Sequence, residues 1–336
     1  MSALRLSVVI PTRNRAGPLA EILGNLCRQS LSAAEFEVIV VDDGSTPPLD
    51  EARLRADYAL NLRVLRRESR HGAHESRADG ARMAIGLRVL FLDDDVIPEV
   101  NVLLNHASDT GHFAVGSVLY HEASIVNLYG ELQARRYEEY YKLVVNRSQS
   151  THEVETWQIC NASGPAKDFS QFLDAVHDAM QGIPVGGEGF DESIMHIEAT
   201  RRGYRFDILP DAIVWHVDTR SLDDARRGRR RNGRIACQLA LQPTRRDPEM
   251  DRIFDIAGVL SGRQGFSKMS KAKLVWKAPF VMDFAADMLT LLADKGPRRW
   301  LPSGLCKLPL SVAFWQGVRD EAPSWERLKT SLARGD

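Results

Sequence analysis

The stretch RVLFLDDDVIPE, Arg88 to Glu99, decides the fold. Val89 to Leu92 form an apolar run with no polar face, as expected of a strand buried on both sides. Asp93, Asp94 and Asp95 follow without a break. Side by side, three carboxylates repel one another. Nothing local rewards that arrangement, so a positive charge is expected among them.

Working outward, the same pattern recurs upstream. LSVVIP (Leu6 to Pro11) and FEVIVVDDGS (from Phe36) are buried-strand runs, and the second ends in Asp42 and Asp43 before a turn. LRVLRR (Leu62 to Arg67) reads as a third strand, with Arg88 onward as the fourth. Between them, Leu19, Ile22, Leu23 and Leu26 recur at helical spacing, and SRADGARMAI (Ser76 to Ile85) reads as another helix. Alternating strands and helices predict an α/β fold with a mostly parallel sheet. Ligands of such sheets gather at the carboxyl ends of the strands, where both acidic groups lie. Residues 113 to 175 read as short strands mixed with polar and aromatic stretches. Tyr204 to His216 reads as a strand broken by a turn at Pro210-Asp211, and the chain from about 218 reads as helical and, at first, arginine-rich.

Bulk properties exclude several classes. The 336 residues carry a net charge of −1, with 44% hydrophobic and 26% charged residues. This near-neutral balance gives no reason to expect a nucleic-acid partner. Cys27, Cys160, Cys237 and Cys306 form no CxxC pair and fit unpaired thiols in a reducing compartment. The first apolar run is too short for a signal peptide, and no stretch approaches the ~20 apolar residues of a membrane span. A cytoplasmic protein is expected. Arg226 to Arg234 and the apolar, aromatic segments LVWKAPFVMDFAADMLTLL and LPLSVAFWQG leave open peripheral contact with the inner face of a membrane, or a homodimer interface.

Hard cations such as Mn²⁺ and Mg²⁺ take oxygen ligands and often use one or two carboxylates plus substrate phosphates. In extended chain, alternate residues point the same way, so Asp93 and Asp95 are expected on one side and Asp94 on the other.

With these residues in hand, the chain resembles family 2 glycosyltransferases of the GT-A fold. SVVIPTRNR, VIVVDDGS, SRADGAR, FLDDDVIPE, VGGEGFDE and RRGYRFDILPDAIVWH occur in that family's order, over roughly residues 4 to 220. The resemblance implies a GT-A fold with a nucleotide-sugar-binding half (1–100), an acceptor half (101–217) and a helical C-terminal region (218–336). It implies that Pro11, Thr12, Arg13, Asn14, Asp42 and Asp43 hold the nucleotide of a nucleoside-diphosphate sugar, UDP being the commonest carrier. Arg77 would balance the acidic cluster or contact the diphosphate, and Ala78 stands where the family usually has asparagine. Asp93 and Asp94 would line the donor site, with Asp95 and His216 holding Mn²⁺ or Mg²⁺. The base of an inverting transfer to a hydroxyl of a glycan, lipid-linked or small-molecule acceptor would be Glu192, then Asp191, then Glu188, since a deletion merges two family segments here. Two other readings stay open: an Mg²⁺-dependent phosphatase or phosphotransferase using Asp93 to Asp95, and a non-catalytic nucleotide-sugar-binding protein.

Overall fold

The computed structural model describes residues 4–108, 112–147, 158–180, 195, 201–203, 206–241, 266–296, 301–322 and 324–334. Its strands are β1 (Leu6–Thr12), β2 (Phe36–Asp42), β3 (Leu62–Arg66), β4 (Arg88–Leu92), β5 (Val96–Pro98), β6 (Phe113–Tyr120), β7 (Asn161–Pro165) and β8 (Phe206–His216). The helices are α1 (Ala16–Leu26), α2 (Glu51–Asp57), α3 (Ala73–Met83), α4 (Val102–His106), α5 (Leu128–Arg147) and α6 (Ala166–Met180). Five more follow: α7 (Leu222–Ala240), α8 (Phe266–Lys277), α9 (Pro279–Lys295), α10 (Lys307–Glu321) and α11 (Trp325–Arg334).

The eight strands form one sheet in the order β3-β2-β1-β4-β7-β6-β8-β5. The first four are parallel, β7 runs antiparallel to both β4 and β6, and β5 runs antiparallel to β8. This mixed central sheet with flanking helices is the GT-A fold expected from sequence. β1, β2 and β4 are buried along their whole length, which is why they carry no polar alternation. Helix α1 covers them with Leu19, Ile22, Leu23 and Leu26, all buried. Helix α3 lies so close to the sheet that a Cβ on Gly80 would meet Val9 Cγ1 at 2.3 Å.

Among the described residues of 113–175, β6 and β7 are the strands; the aromatic stretch lies in α5, and α6 packs Phe169 and Phe172 edge-on against Phe113 at 5.1 and 4.9 Å. One expectation for the later chain is corrected. Pro210-Asp211 does not break β8. The pairing with β6 steps from Gly116–Leu209 to Ser117–Ile213, so the extra residues form a bulge. Side chains bind its freed carbonyls: Ser117 Oγ donates to Pro210 O (2.9 Å) and Asn161 Nδ2 to Ala212 O (2.7 Å).

Contacts divide the chain into two compact units, one from described residues within 1–122, 134–180 and 191–218, the other within 123–133 and 219–336. The second unit is helical. Its α7 and α10 meet through glycines: a Cβ on Gly233 would lie 1.9 Å from Phe314 O, and one on Gly317 1.9 Å from Arg230 O. Leu128, Leu132, Leu222, Ala293 and Leu310 fill its core. The α7 arginines are largely committed within this unit, Arg226 to Asp287 (2.8 Å), Arg227 to Asp223 and Asp224, and Arg230 and Arg234 to Asp320 (2.8 and 2.9 Å).

Candidate functional site

The carboxyl ends of β1, β2 and β4 bring the two acidic groups together, and each aspartate ends in a different environment. Asp42 is fully buried. Its Oδ1 accepts from the Ser45 amide (2.8 Å), and its Oδ2 from the Leu49 amide (3.1 Å) and Arg66 Nη1 (2.7 Å). Burial acts to raise its pKa, but the hydrogen bonds from Ser45, Leu49 and Arg66 outweigh it and hold the group below the usual carboxylate range. Asp43 accepts from the amides of His71 (2.7 Å) and Gly72 (2.9 Å), just ahead of α3. Gly72 has φ 101°, a left-handed conformation suited to glycine. Both carboxylates are therefore occupied in shaping the loops after β2 and β3.

Asn14 and Ser45 clasp the loops after β1 and β2. Asn14 sits at φ 55°, its amide donates to Ser45 Oγ (2.9 Å), and its Oδ1 accepts from the Thr46 amide (2.7 Å). Asparagine tolerates this conformation better than most residues. Pro11 is the buried β1 residue opposite Val41, and Arg13 is exposed on the loop.

The Asp93 to Asp95 trio does not alternate as an extended strand would. β4 ends at Leu92 and the chain turns before β5, so the period-two expectation fails. Asp94 and Asp95 share one guanidinium: Arg15 Nη1 lies 3.0 Å from Asp94 Oδ1 and 2.9 Å from Asp95 Oδ2. Asp93 instead takes Arg77 Nη2 at 2.6 Å. Arg77 is a buried residue of α3, not a surface arginine, and the close seating of α3 over Gly80 delivers it there. Asp94 is buried and accepts from Thr12 Oγ1 at 2.6 Å. Its pKa is pushed up to about 6, by burial first; Arg15 and Thr12 act to lower it, while Asp95 and Asp93 raise it further. Arg15 was not singled out from sequence. Its signal was a basic residue on the first loop, facing the acidic end of a neighbouring parallel strand.

His216 reaches this cluster through pairing. Val96 of β5 lies opposite His216 of β8, and the Val217 amide donates to Asp95 O (2.8 Å). The imidazole stacks on Tyr137 (5.6 Å, 17°) and Tyr120 (6.1 Å, 28°). Its Nε2 lies 3.5 Å from Asp95 Oδ1. Asp95 Oδ1 and His216 Nδ1 are buried and have no hydrogen-bond partner among the described residues. Leaving the Asp95 oxygen bare costs free energy, and with His216 Nε2 3.5 Å away a cation could bind between them. The carboxylate oxygen suits Mn²⁺ or Mg²⁺, and the imidazole nitrogen beside it favours Mn²⁺ of the two. Among the described residues no group of three or more His, Cys, Asp or Glu side chains gathers for a metal. Glu188, Asp191 and Glu192 lie outside the described residues.

The sequence and fold are similar to those of known glycosyltransferases. Residues 7–161 match the family model described as glycosyl transferase family 2. An uncharacterized glycosyltransferase of Haemophilus influenzae is 40% identical over 90 residues, 27% of this chain and 29% of that protein. Validoxylamine A glucosyltransferase of Streptomyces hygroscopicus subsp. jinggangensis is 41% identical over 98 residues, 27% of this chain and 22% of that one. The matched segment thus spans less than a third of these curated relatives. A mannosyltransferase from Pyrobaculum calidifontis, solved with GDP-Man and Mn²⁺, shares the fold at TM-score 0.54 and 20% identity, over 94% of this chain and 88% of that chain.

Proposed function

As the chain belongs to glycosyl transferase family 2 through residues 7–161, we propose that it moves a sugar from a nucleoside-diphosphate donor to an acceptor hydroxyl, with inversion and with a divalent cation. The observation that carries the proposal lies at the end of the sheet, where Asp95 Oδ1 is buried without a hydrogen-bond partner among the described residues and sits 3.5 Å from His216 Nε2, beside a cluster of carboxylates. Asp95 and His216 would hold Mn²⁺ or Mg²⁺. When bound, the metal supplies Lewis-acid neutralisation of the departing diphosphate. The mannosyltransferase with the same fold, which was solved with Mn²⁺ and GDP-Man, supports a cation and a nucleotide sugar as the ligands to try first.

The remaining roles fall to side chains already in place. Asp42, Asp43 and Asn14 set the loops that would receive the nucleotide and leave their backbone edges to bind it. Arg77 keeps Asp93 oriented, and the Asp93 side chain remains 31% exposed, open to a donor hydroxyl. Thr12 and Arg15 fix the Asp94 carboxylate. A carboxylate among Glu192, Asp191 and Glu188 would take the acceptor proton as the hydroxyl attacks.

The test is thermal stability against nucleoside diphosphates and their sugars, with and without Mn²⁺, in the wild type and Asp95→Ala. A ligand bound only by the native state raises Tm by mass action. A nucleotide that raises Tm only with Mn²⁺, and not in the variant, supports the proposal. If neither metal nor any nucleotide shifts the melt, the cluster is structural and the proposal fails.

A further inference from the structure

Helix α9 carries an apolar stripe that the second unit leaves uncovered. Phe280 is 89% exposed and Phe284 69%, and Val281, Met288, Leu291 and Leu292 are exposed beside them. Positions 280, 284, 288 and 291 recur at helical spacing, so they line one side of a 17-residue helix about 25 Å long. Contiguous exposed apolar surface of this extent marks an interaction site. The opposite side is the packed one, where Met282, Ala286 and Ala293 are buried.

The charges around the stripe say what covers it. Each carboxylate of α9 bonds to a neighbouring helix, although the Asp287 side chain stays 68% exposed at the edge of the stripe. Asp283 accepts from Gln316 Nε2 (2.6 Å), Asp287 pairs with Arg226 (2.8 Å), and Asp294 accepts from the amides of Leu222 and Asp223 (2.8 and 3.3 Å). The exposed charges at the two ends of the stripe are lysines, Lys277 just before the helix and Lys295 in its last turn. The preceding helix α8 adds Lys273 and contains no acidic residue, with Leu274 exposed between Lys273 and Lys277. Aromatic and aliphatic side chains flanked by lysines are the makeup of a helix that lies in a lipid headgroup layer.

We propose that α9 docks in the plane of an anionic lipid surface, with Phe280 and Phe284 inserted and Lys277 and Lys295 on the headgroup phosphates. A second copy of the chain fits less well. A two-fold pairing with the stripes aligned along their length sets Lys277 against the other copy's Lys277 or Lys295, whereas anionic headgroups neutralise both. Among the described residues no helix is long and apolar enough to cross a membrane, so attachment would be to one face. This inference is independent of the sugar-transfer proposal.

The experiment is co-sedimentation of the full chain with phosphatidylcholine vesicles, with and without about 30% phosphatidylglycerol, alongside its mass in solution by light scattering. Two variants accompany it, Phe280→Ser/Phe284→Ser and Lys277→Glu/Lys295→Glu. The wild type is expected to bind the anionic vesicles, and each variant to bind at least about tenfold more weakly. Since the changed side chains are exposed, both variants should keep the wild-type melt, and the lysine variant stands alone as the test if the phenylalanine variant misfolds. The proposal is overturned by wild type that ignores anionic vesicles, by variants that bind as well as wild type, or by a dimer that the phenylalanine substitutions dissociate.

Discussion

His106 offers a quantitative test of how the sheet beneath the site is built. It is fully buried on α4, in a hydrogen-bonded chain whose direction can be worked out. Asn161 Nδ2 donates to Ser117 O (2.9 Å) and Ala212 O (2.7 Å), so its Oδ1 faces His106 Nε2 at 2.9 Å. That nitrogen must carry the ring proton. Arg88 Nη2 donates to Ser163 Oγ (3.1 Å), leaving the serine hydroxyl to donate to His106 Nδ1 (2.9 Å). The neutral ring satisfies every partner, and a second proton on Nδ1 would meet the serine's own. Burial is the largest influence on this group. The Asn161 bond opposes it, Arg88 reinforces it, and the pKa is pushed down to about 4 from 6.5.

The folded state therefore binds fewer protons than the unfolded chain between these values, and stability is lost as pH falls from 6.5 towards 4. At about pH 4.5 the loss from this group is roughly 2.5 kcal/mol relative to neutral pH. Asp94 acts in the opposite sense: with its folded pKa raised to about 6, acid relieves a buried charge and restores stability. The wild-type curve alone is thus flattened, and the difference between two proteins is the quantity to read. His106→Gln removes the titration and leaves Asp94 untouched. In urea unfolding the variant should be less stable by about 1–3 kcal/mol near pH 7.5, with the deficit shrinking by roughly 2.5 kcal/mol near pH 4.5. A deficit equal at both pH values would refute the neutral, buried histidine.

Other outcomes follow from single contacts. Arg15→Ala removes the guanidinium shared by Asp94 and Asp95, so Asp94 should titrate still higher and the ligand-free Tm should fall. Because Arg15 competes for Asp95, Mn²⁺ should then raise Tm more in the variant than in the wild type; an equal or smaller rise would argue against a shared site. Gly233→Ala places a Cβ 1.9 Å from Phe314 O and should cost about 1–3 kcal/mol in chemical denaturation, as overpacking does. A thiol reagent at neutral pH should label Cys27 quickly. Cys237 and Cys306 should stay protected, since both are buried and burial foremost pushes their thiols up to about 12 and 11.

The strands that build the site were legible because each is buried on both faces and so reads as an unbroken apolar run. That rule finds β1, β2 and β4, and it places the acidic residues at their ends. It does not find β5, whose three residues follow the aspartates and exist through pairing with β8, nor does it separate α5 from irregular chain. The bulge at Pro210 was misread for the same reason: Pro-Asp is a turn signal locally, and only the carbonyl acceptors supplied to Ser117 and Asn161 keep the strand running. Partnerships between elements have no local pattern at all. Arg15 and Arg77 look like ordinary basic residues until the loop after β1 and the helix over Gly80 bring them to the carboxylates.

A positive charge is expected among the three aspartates, with Asp95 the metal ligand and Asp93 and Asp94 lining the donor site, and the structure gives each a different partner. Asp93 is met by Arg77. Asp94, most deeply set, is met by Thr12 and Arg15 and has its pKa raised to about 6. Asp95 gives one oxygen to Arg15 and leaves the other bare, 3.5 Å from the imidazole of His216. Two arginines already offset much of the repulsion that made the sequence conspicuous, so net negative charge is a weak reason to place a metal here. The stronger reason is local. One buried carboxylate oxygen lacks a donor, and the ring beside it is fixed by two tyrosines and a strand pairing rather than by a bond to that oxygen. A cation between that oxygen and His216 Nε2 would supply the missing partner, which makes Asp95 the residue to change first in a metal-binding test.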